Sequence, residues 1–457
     1  MSAVVRQIGS NAVANIINGV AVGAFQVAMT ALVAHFGGGK AIPVWSLAAS
    51  GAGFASLLSC NVATVVARRL ADKSKVEQNI YVHEATVIDA ARQLSSRLTV
   101  AGFLIATLLI VAVPFVYPAL VGQAPLTSAT LVGCYFAASC WVVYSQPEQG
   151  WLIAARRNWS IATVNVLTRV ASLLTFTIAM TVFGAPLWVS VMVCGLALWS
   201  GAWLMRRHAP SGHQLGSRDE WLAESGRIKS ITRSMGVWVL TSAITQAATI
   251  PVVAFIAPDL TASMYLALTL VLAFVGLIGA AANALIAPLG AILSSSTQER
   301  ATRMTIWATA ILWGMYTLGA VVVYLMLGPI IALWVGNKAP VSSVQHLCFA
   351  LLALQHGLRN TGLASSLLLA VGAKPRTLLV SPLTEAGVVA FVAIPLAFWV
   401  GPFAFIIGLS AAGVAGVLAV VTCAVREVLG KAGRPLYAAT VILLLASIAV
   451  WAALATR

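Results

Sequence analysis

The chain has 457 residues, 60% hydrophobic and only 9% charged, where an ordinary soluble domain carries about a quarter charged residues. That balance excludes a water-soluble protein. Its 27 Lys and Arg against 12 Asp and Glu give a formal net charge of +15, which in a soluble chain would suggest nucleic acid; in an apolar chain it suggests a membrane with no nucleic-acid partner, and the question becomes where the cations sit.

Crossing a hydrocarbon core of about 30 Å takes about 20 helical residues. About thirteen apolar runs meet that length, at 8–34, 42–66, 98–120, 126–154, 160–183, 184–205, 231–257, 262–291, 303–327, 341–371, 376–399, 402–425 and 435–455. Their continuous apolar character predicts helices, since barrel strands would alternate over about ten residues. The expected fold is therefore an all-α polytopic membrane protein with about 12 to 13 transmembrane helices, in two six-helix bundles around a central cavity. The first run is too long for a signal-peptide core and is expected to stay attached as helix 1.

Lys and Arg are retained on the cytoplasmic side. With the N-terminus inside, 22 of the cations face the cytoplasm, Lys40, Lys338 and Arg457 face outward, and Arg169 and Arg359 lie inside predicted spans. Two cytoplasmic stretches, about 67–97 and 206–230, are the longest connections. In the first, Val76, Ile80, Val87, Ala91 and Leu94 recur at helical spacing, which fits either a helix lying on the inner membrane surface or a cytosolic extension of helix 3. Cys60, Cys134, Cys140, Cys194, Cys348 and Cys423 all fall within runs and form no CxxC pair. They suit packing better than disulfides or a metal, and no cofactor is expected.

Six spans, a basic loop and six more spans suggest an internal repeat. Aligning Arg157 with Lys374 is a shift of 217 residues, which brings Thr168 onto Glu385 and Arg169 onto Ala386. Both halves then start inside, a parallel repeat about an axis along the membrane normal. The expected division is 1–205 as the first bundle, 206–230 as a cytoplasmic linker, 231–425 as the second bundle and 426–457 as an extra helix.

An ionisable group in a span costs about 2.5 to 3.5 kcal/mol on insertion scales, so each calls for a partner, a wet cavity or a function. Arg169 and Arg359 reach the middle of the bilayer, one from each half. A guanidinium is always charged and presents a fork of donors matched to phosphate oxygens. Two at similar depth fit a substrate-anion site; the alternative is structural pairing with Glu148 or Glu385. Asn11, Asn15, Asn18 and Gln26 share a face of helix 1, and Asn165, Arg169 and Ser172 share one on helix 5. These polar stripes suit either a wet cavity or interhelical hydrogen bonds. His356, Glu385 and Glu148 are candidates for ion coupling, with satisfied structural groups as the alternative.

Pro114, Pro147, Pro251, Pro288, Pro382 and Pro395 interrupt spans and predict bends. Gly19-x-x-x-Gly23 permits close helix contact. Gly37-Gly-Gly-Lys40 lacks the first Gly and the final Ser or Thr of a phosphate loop and reads as a turn.

Phe36-Gly-Gly-Gly-Lys-Ala-Ile-Pro-Val-Trp-Ser-Leu47, Leu57-Leu-Ser-Cys-Asn-Val-Ala-Thr-Val-Val-Ala-Arg-Arg-Leu-Ala-Asp72 and the Arg156-Arg-Asn-Trp159 turn resemble the bacterial polysaccharide and O-antigen flippases. These belong to the multidrug, oligosaccharidyl-lipid and polysaccharide exporter superfamily. Ser59 and Asn61 stand where that family often has an Asp and a Gly. The resemblance implies a flippase of the bacterial inner membrane, with no catalytic residues. It would carry an undecaprenyl-pyrophosphate-linked oligosaccharide, an O-antigen or exopolysaccharide unit, to the outer leaflet by alternating access, driven by an ion gradient. Its partners would be that lipid-linked oligosaccharide, membrane lipids, and polysaccharide polymerase or ligase machinery. Arg169 and Arg359 would take the pyrophosphate, and Asn15, Asn18, Gln26 and Asn165 the sugar hydroxyls. A multidrug exporter of the same superfamily would share the fold, and an integral-membrane glycan ligase or polymerase would be expected to carry a sizeable external loop.

Overall fold

The computed structural model describes residues 2–71, 80–122, 124–208, 215–283, 297–336, 342–372 and 377–455. Val76, Pro288, Lys338, Lys374, Arg376 and part of the 206–230 linker lie outside them, as does the side chain of Asn11. The described elements are helical: α1 Ser2–Gly37, α2 Ala41–Leu57, α3 Val62–Ala71, α4 Ile80–Val116, α5 Pro118–Val121, α6 Pro125–Ser139, α7 Trp141–Tyr144, α8 Gln146–Ala154, α9 Asn158–Thr181, α10 Leu187–His208, α11 Arg218–Ala247, α12 Thr249–Ile256, α13 Thr261–Asn283, α14 Gln298–Leu325, α15 Leu327–Val335, α16 Ser343–Asn360, α17 Leu363–Gly372, α18 Val380–Val388, α19 Ile394–Trp399, α20 Pro402–Ala424 and α21 Arg434–Ala455. Every predicted run is mostly helical where it is described, with breaks and non-helical ends in several. Among the described residues nine helical stretches are long and apolar enough to cross a membrane, and the protein is an all-α polytopic membrane protein.

Several spans are broken. The second divides at Cys60 and Asn61, whose φ values of 44° and 58° place them in the left-handed region. Asn tolerates that region better than most residues. The fourth span breaks at Cys140 and Ser145, the tenth at Thr361–Gly362. In the eleventh, a π turn at Val389–Ala393 precedes Pro395, whose missing N–H frees a carbonyl one turn earlier.

The shift of 217 residues carries Gln146, the first residue of α8, onto Leu363, the first of α17. It also carries His208 at the end of α10 to within one residue of the end of α20. The break at Ser145 therefore matches the break of the tenth span, whereas the one at Cys140 falls on Gly357, inside α16, and has no counterpart.

Contacts divide the chain into two compact units, Met1–Gly39 with Ile244–Arg457, and Lys40–Ala243. The expected grouping put helix 1 with residues 40–205; contacts place it with the second half of the chain. Specific bonds hold it there. Gln26 Nε2 donates to Tyr265 Oη of α13 at 2.8 Å, Thr30 Oγ1 lies 3.0 Å from the same hydroxyl, and Trp334 Nε1 of α15 donates to Val27 O at 2.7 Å. Gly23 adds close contact with Ala273. The thirteenth span, α21, joins the same unit through Trp451, which is buried against Phe349 and Tyr324, and through Trp313 Nε1 donating to Ser447 Oγ at 2.7 Å.

In the Lys40–Ala243 unit, α4 runs unbroken from Ile80 to Val116, so from Ile80 onward the amphipathic stretch is an extension of the third span and not a separate surface helix. Its apolar face, Val87, Ala90 and Ala91, packs on Val62, Val65 and Val66 of α3 and Ile228 of α11. Polar bonds fix the same end. Glu224 accepts from Arg69 and Arg227 at 2.8 and 2.7 Å, Trp221 Nε1 donates to Asp89, and Trp151 Nε1 donates to Glu84. The protein mates available to this face explain why it does not need lipid.

Candidate functional site

The two arginines inside predicted spans occupy different surroundings, one in each unit. Arg169 stands at the middle of α9. Its Nη1 donates to the carbonyl of Asn165, one turn back on the same helix, at 3.1 Å. The guanidinium carbon lies 5.7 Å from the ring centroid of Trp141, the buried first residue of α7. A cation over an indole face gains about 0.5 to 2 kcal/mol depending on desolvation, less than insertion costs. Among the described residues no carboxylate forms an ion pair with Arg169. Asn165, Thr168 and Ser172 are buried along α9, and Thr168 fits against Gly201 of α10, where a Cβ would press on its methyl group.

Glu148, the first candidate partner for Arg169, is engaged elsewhere. It lies in the first turn of α8, where the positive end of the helix favours a carboxylate, and accepts from Arg92 Nε of α4 at 2.8 Å. Next to it, Gln146 Oε1 accepts from Ala63 N at 3.2 Å, capping one of the orphan amides at the start of α3. Gly150 leaves the space that lets α8 approach the Ala63 carbonyl and Val66.

In the other unit Arg359 is the last residue but one of α16, directly before the break at Thr361–Gly362. The negative end of the helix favours a cation there. Its Nη2 donates to Glu385 Oε2 of α18 at 2.9 Å, and both side chains are mostly buried, with relative exposures of 10% and 15%. The third spans-wall is α20, whose glycines create the room. A Cβ on Gly413 would stand 3.1 Å from Arg359 Cγ, and one on Gly416 would overlap the Glu385 carboxylate. Ser381 Oγ donates to Gly416 O at 2.8 Å, joining α18 to α20. One turn before Arg359, Gln355 is fully buried; its amide atoms, Arg359 Nε and Nη1, and Asn360 Nδ2 have no hydrogen-bond partner among the described residues. His356 is also buried, three residues before Arg359.

The other predicted site residues distribute as follows. Asn15 and Asn18 are half-buried on α1. Gln26 is engaged by Tyr265, so its amide binds helix to helix. Glu385 and Arg359 are brought together, Glu148 and Arg169 are not, and Asn165 stands beside Arg169 on α9. Arg92, Trp141, Gln355, Gly413 and Gly416 were not expected to matter. Gly413-x-x-Gly416 places two small residues on one face of a predicted span, a readable sign of a close approach, and Gln355 precedes Arg359 by one turn.

No family model matches the chain, and no curated protein does. Solved structures share its fold over nearly the full length. An outward-facing multidrug resistance MATE family transporter of the MOP superfamily is 13% identical with a TM-score of 0.65, covering 99% of this chain and 96% of that one. A eukaryotic MATE transporter is 14% identical with a TM-score of 0.68, covering 96% and 98%. A MOP superfamily transporter from Pyrococcus furiosus, described as having a binding pocket of reverse polarity, is 13% identical with a TM-score of 0.63, covering 98% and 96%. The chain therefore has a MATE-like fold.

Proposed function

We propose that this chain is a transporter of the bacterial inner membrane, with its N-terminus in the cytoplasm. It moves a lipid-linked oligosaccharide bearing a pyrophosphate from the inner to the outer leaflet by alternating access. The observation that carries this reading is Arg169, a cation in the middle of a span, held by an indole face and a carbonyl of its own helix, with no ion-paired carboxylate among the described residues. A permanent charge so placed lowers the cost of bringing a phosphate into the membrane. Asn165 lies on the same helix, one turn away, to serve the glycan side. Arg359 is neutralised by Glu385, and the weight of anion binding falls on Arg169.

The fold supports transport in general, and solved structures of that fold include proteins described as multidrug transporters. A multidrug exporter is accordingly the second reading. It is less well served by the charges, because a free carboxylate would attract an organic cation most strongly, while Glu385 and Glu148 are each held by an arginine. A deletion strain complemented by the intact chain and by Arg169→Gln tests the two. Loss of surface glycan, with its lipid-linked precursor accumulating on the inner leaflet, supports the first reading. Unchanged glycan with altered sensitivity to cationic drugs supports the second.

A further inference from the structure

One end of the Lys40–Ala243 unit carries a cleft of aromatic rings and guanidinium groups that takes no part in the anion site. It is lined by Thr99 and Phe103 of α4, Trp199, Trp203 and Arg206 of α10, and Tyr144 of α7. The short α7 packs against both longer helices and forms the floor. Phe103 and Trp199 stack at 5.7 Å and 18°, and Tyr144 meets Trp199 at 5.5 Å. Trp199 also packs on the apolar cluster of Ala55, Ala106 and Phe136, which fixes the wall. At the rim, Arg206 donates to Tyr144 Oη and lies 5.5 Å from its ring centroid, while Arg207 lies 3.5 Å from that of Trp203. Thr99 is only 5% exposed, and its hydroxyl has no hydrogen-bond partner among the described residues. Phe103 and Trp203 remain 43% and 51% exposed.

The cleft is thus apolar at one end and cationic at the other, and it opens on the rim that the distribution of cations assigns to the cytoplasm. We infer that it binds an anionic glycerophospholipid of the inner leaflet, the phosphate at Arg206 and Arg207 and an acyl chain along Phe103, Trp199 and Trp203. A guanidinium has five N–H donors, and Tyr144 occupies one of those on Arg206. The rings hold the fork in place, so less side-chain freedom is lost on binding phosphate. Anionic lipid is concentrated in the cytoplasmic leaflet, where each Lys or Arg near the surface contributes about 1 kcal/mol. An arginine that merely snorkels needs no such wall.

Thermal unfolding of the purified full chain in neutral detergent tests this, with phosphatidylglycerol and phosphatidylcholine of identical acyl chains as probes. A ligand that binds only the folded state raises the melting temperature. The expected result is a larger rise with phosphatidylglycerol, and about a tenfold weaker response to it in Arg206→Gln, the loss of about 1.4 kcal/mol. Arg206→Lys should retain an intermediate response, and Arg303→Gln, an exposed cation on α14, should retain all of it. The inference is overturned if Arg206→Gln responds like the native chain, or if Arg303→Gln loses as much. An equal rise with inorganic phosphate alone would also overturn it, since the acyl chain would then contribute nothing.

Discussion

Arg169 and Arg359 carry the same charge into the membrane and are accommodated in opposite ways. Around Arg359 the protein supplies a full countercharge, Glu385, and removes two side chains from α20 at Gly413 and Gly416 to fit the pair. Around Arg169 it supplies a ring face and a carbonyl of the same helix. The repeat shift makes the contrast sharper, because Thr168, the counterpart of Glu385, is an uncharged residue packed on a glycine of α10, as Glu385 is packed on a glycine of α20. The surroundings of the two arginines therefore differ in whether a carboxylate cancels the buried cation. Arg359 is ion-paired with Glu385, and the proposed function rests on Arg169 having no such carboxylate among the described residues.

The strongest way to break this comparison is to remove one member of the closed pair. Glu385→Gln leaves Arg359 buried without its countercharge and is expected to destabilise the folded protein by about 3 to 5 kcal/mol, whereas Arg359→Leu with Glu385→Leu should restore most of it. Melting temperatures of the single and double variants check this, and additive losses would show that the pair is not coupled. Next in size is Gly416→Ala, whose methyl group would overlap the Glu385 carboxylate and should cost about 1 to 3 kcal/mol.

Outside the membrane, Glu224 provides a pH-dependent control. Burial alone would raise its carboxyl, but hydrogen bonds and charge from Arg69 and then Arg227 outweigh it and hold the group below the ordinary carboxylate value. Its contribution is thus present above the unfolded value of about 4.3 and is lost as pH falls through the lowered folded value. Glu224→Gln should lower the melting temperature at pH 7 by an amount equivalent to about 2 kcal/mol, and the gap from the native chain should close in acid. A gap that widened in acid would contradict the sign. The smallest stability effect belongs to Arg169→Gln, expected within about 1 kcal/mol because the lost cation–π contact and carbonyl bond are offset by removing a charge from the span.

Much of the fold was legible because crossing a bilayer imposes one length and one composition on each span. The position of Arg169 in mid-helix and the candidacy of Glu385 as a partner for Arg359 were readable for the same reason. Neighbours across the bundle were not. Spacing shows which residues share a helix face but not which helix that face meets, so Glu148 stood as a possible partner for Arg169 until Arg92, 56 residues earlier, proved to hold it. The amphipathic pattern of Val76, Ile80, Val87, Ala91 and Leu94 within 67–97 allows two readings, since an apolar face can be covered by lipid or by protein, and Ile228 lies far along the chain. The break at Cys60–Asn61 contains no proline or glycine to announce it. The grouping of α1 with the second half rests on Gln26 and Tyr265, 239 residues apart.

The most direct test of the account is the export of lipid-linked glycan in cells carrying Arg169→Gln beside cells carrying the Arg359→Leu, Glu385→Leu pair, both matched to the native chain for folded protein in the membrane. The account predicts that Arg169→Gln loses at least nine-tenths of export, while the double variant, whose charges cancel, keeps most of it. Native export from Arg169→Gln, with loss confined to the double variant, would contradict it and move the working charge to Arg359.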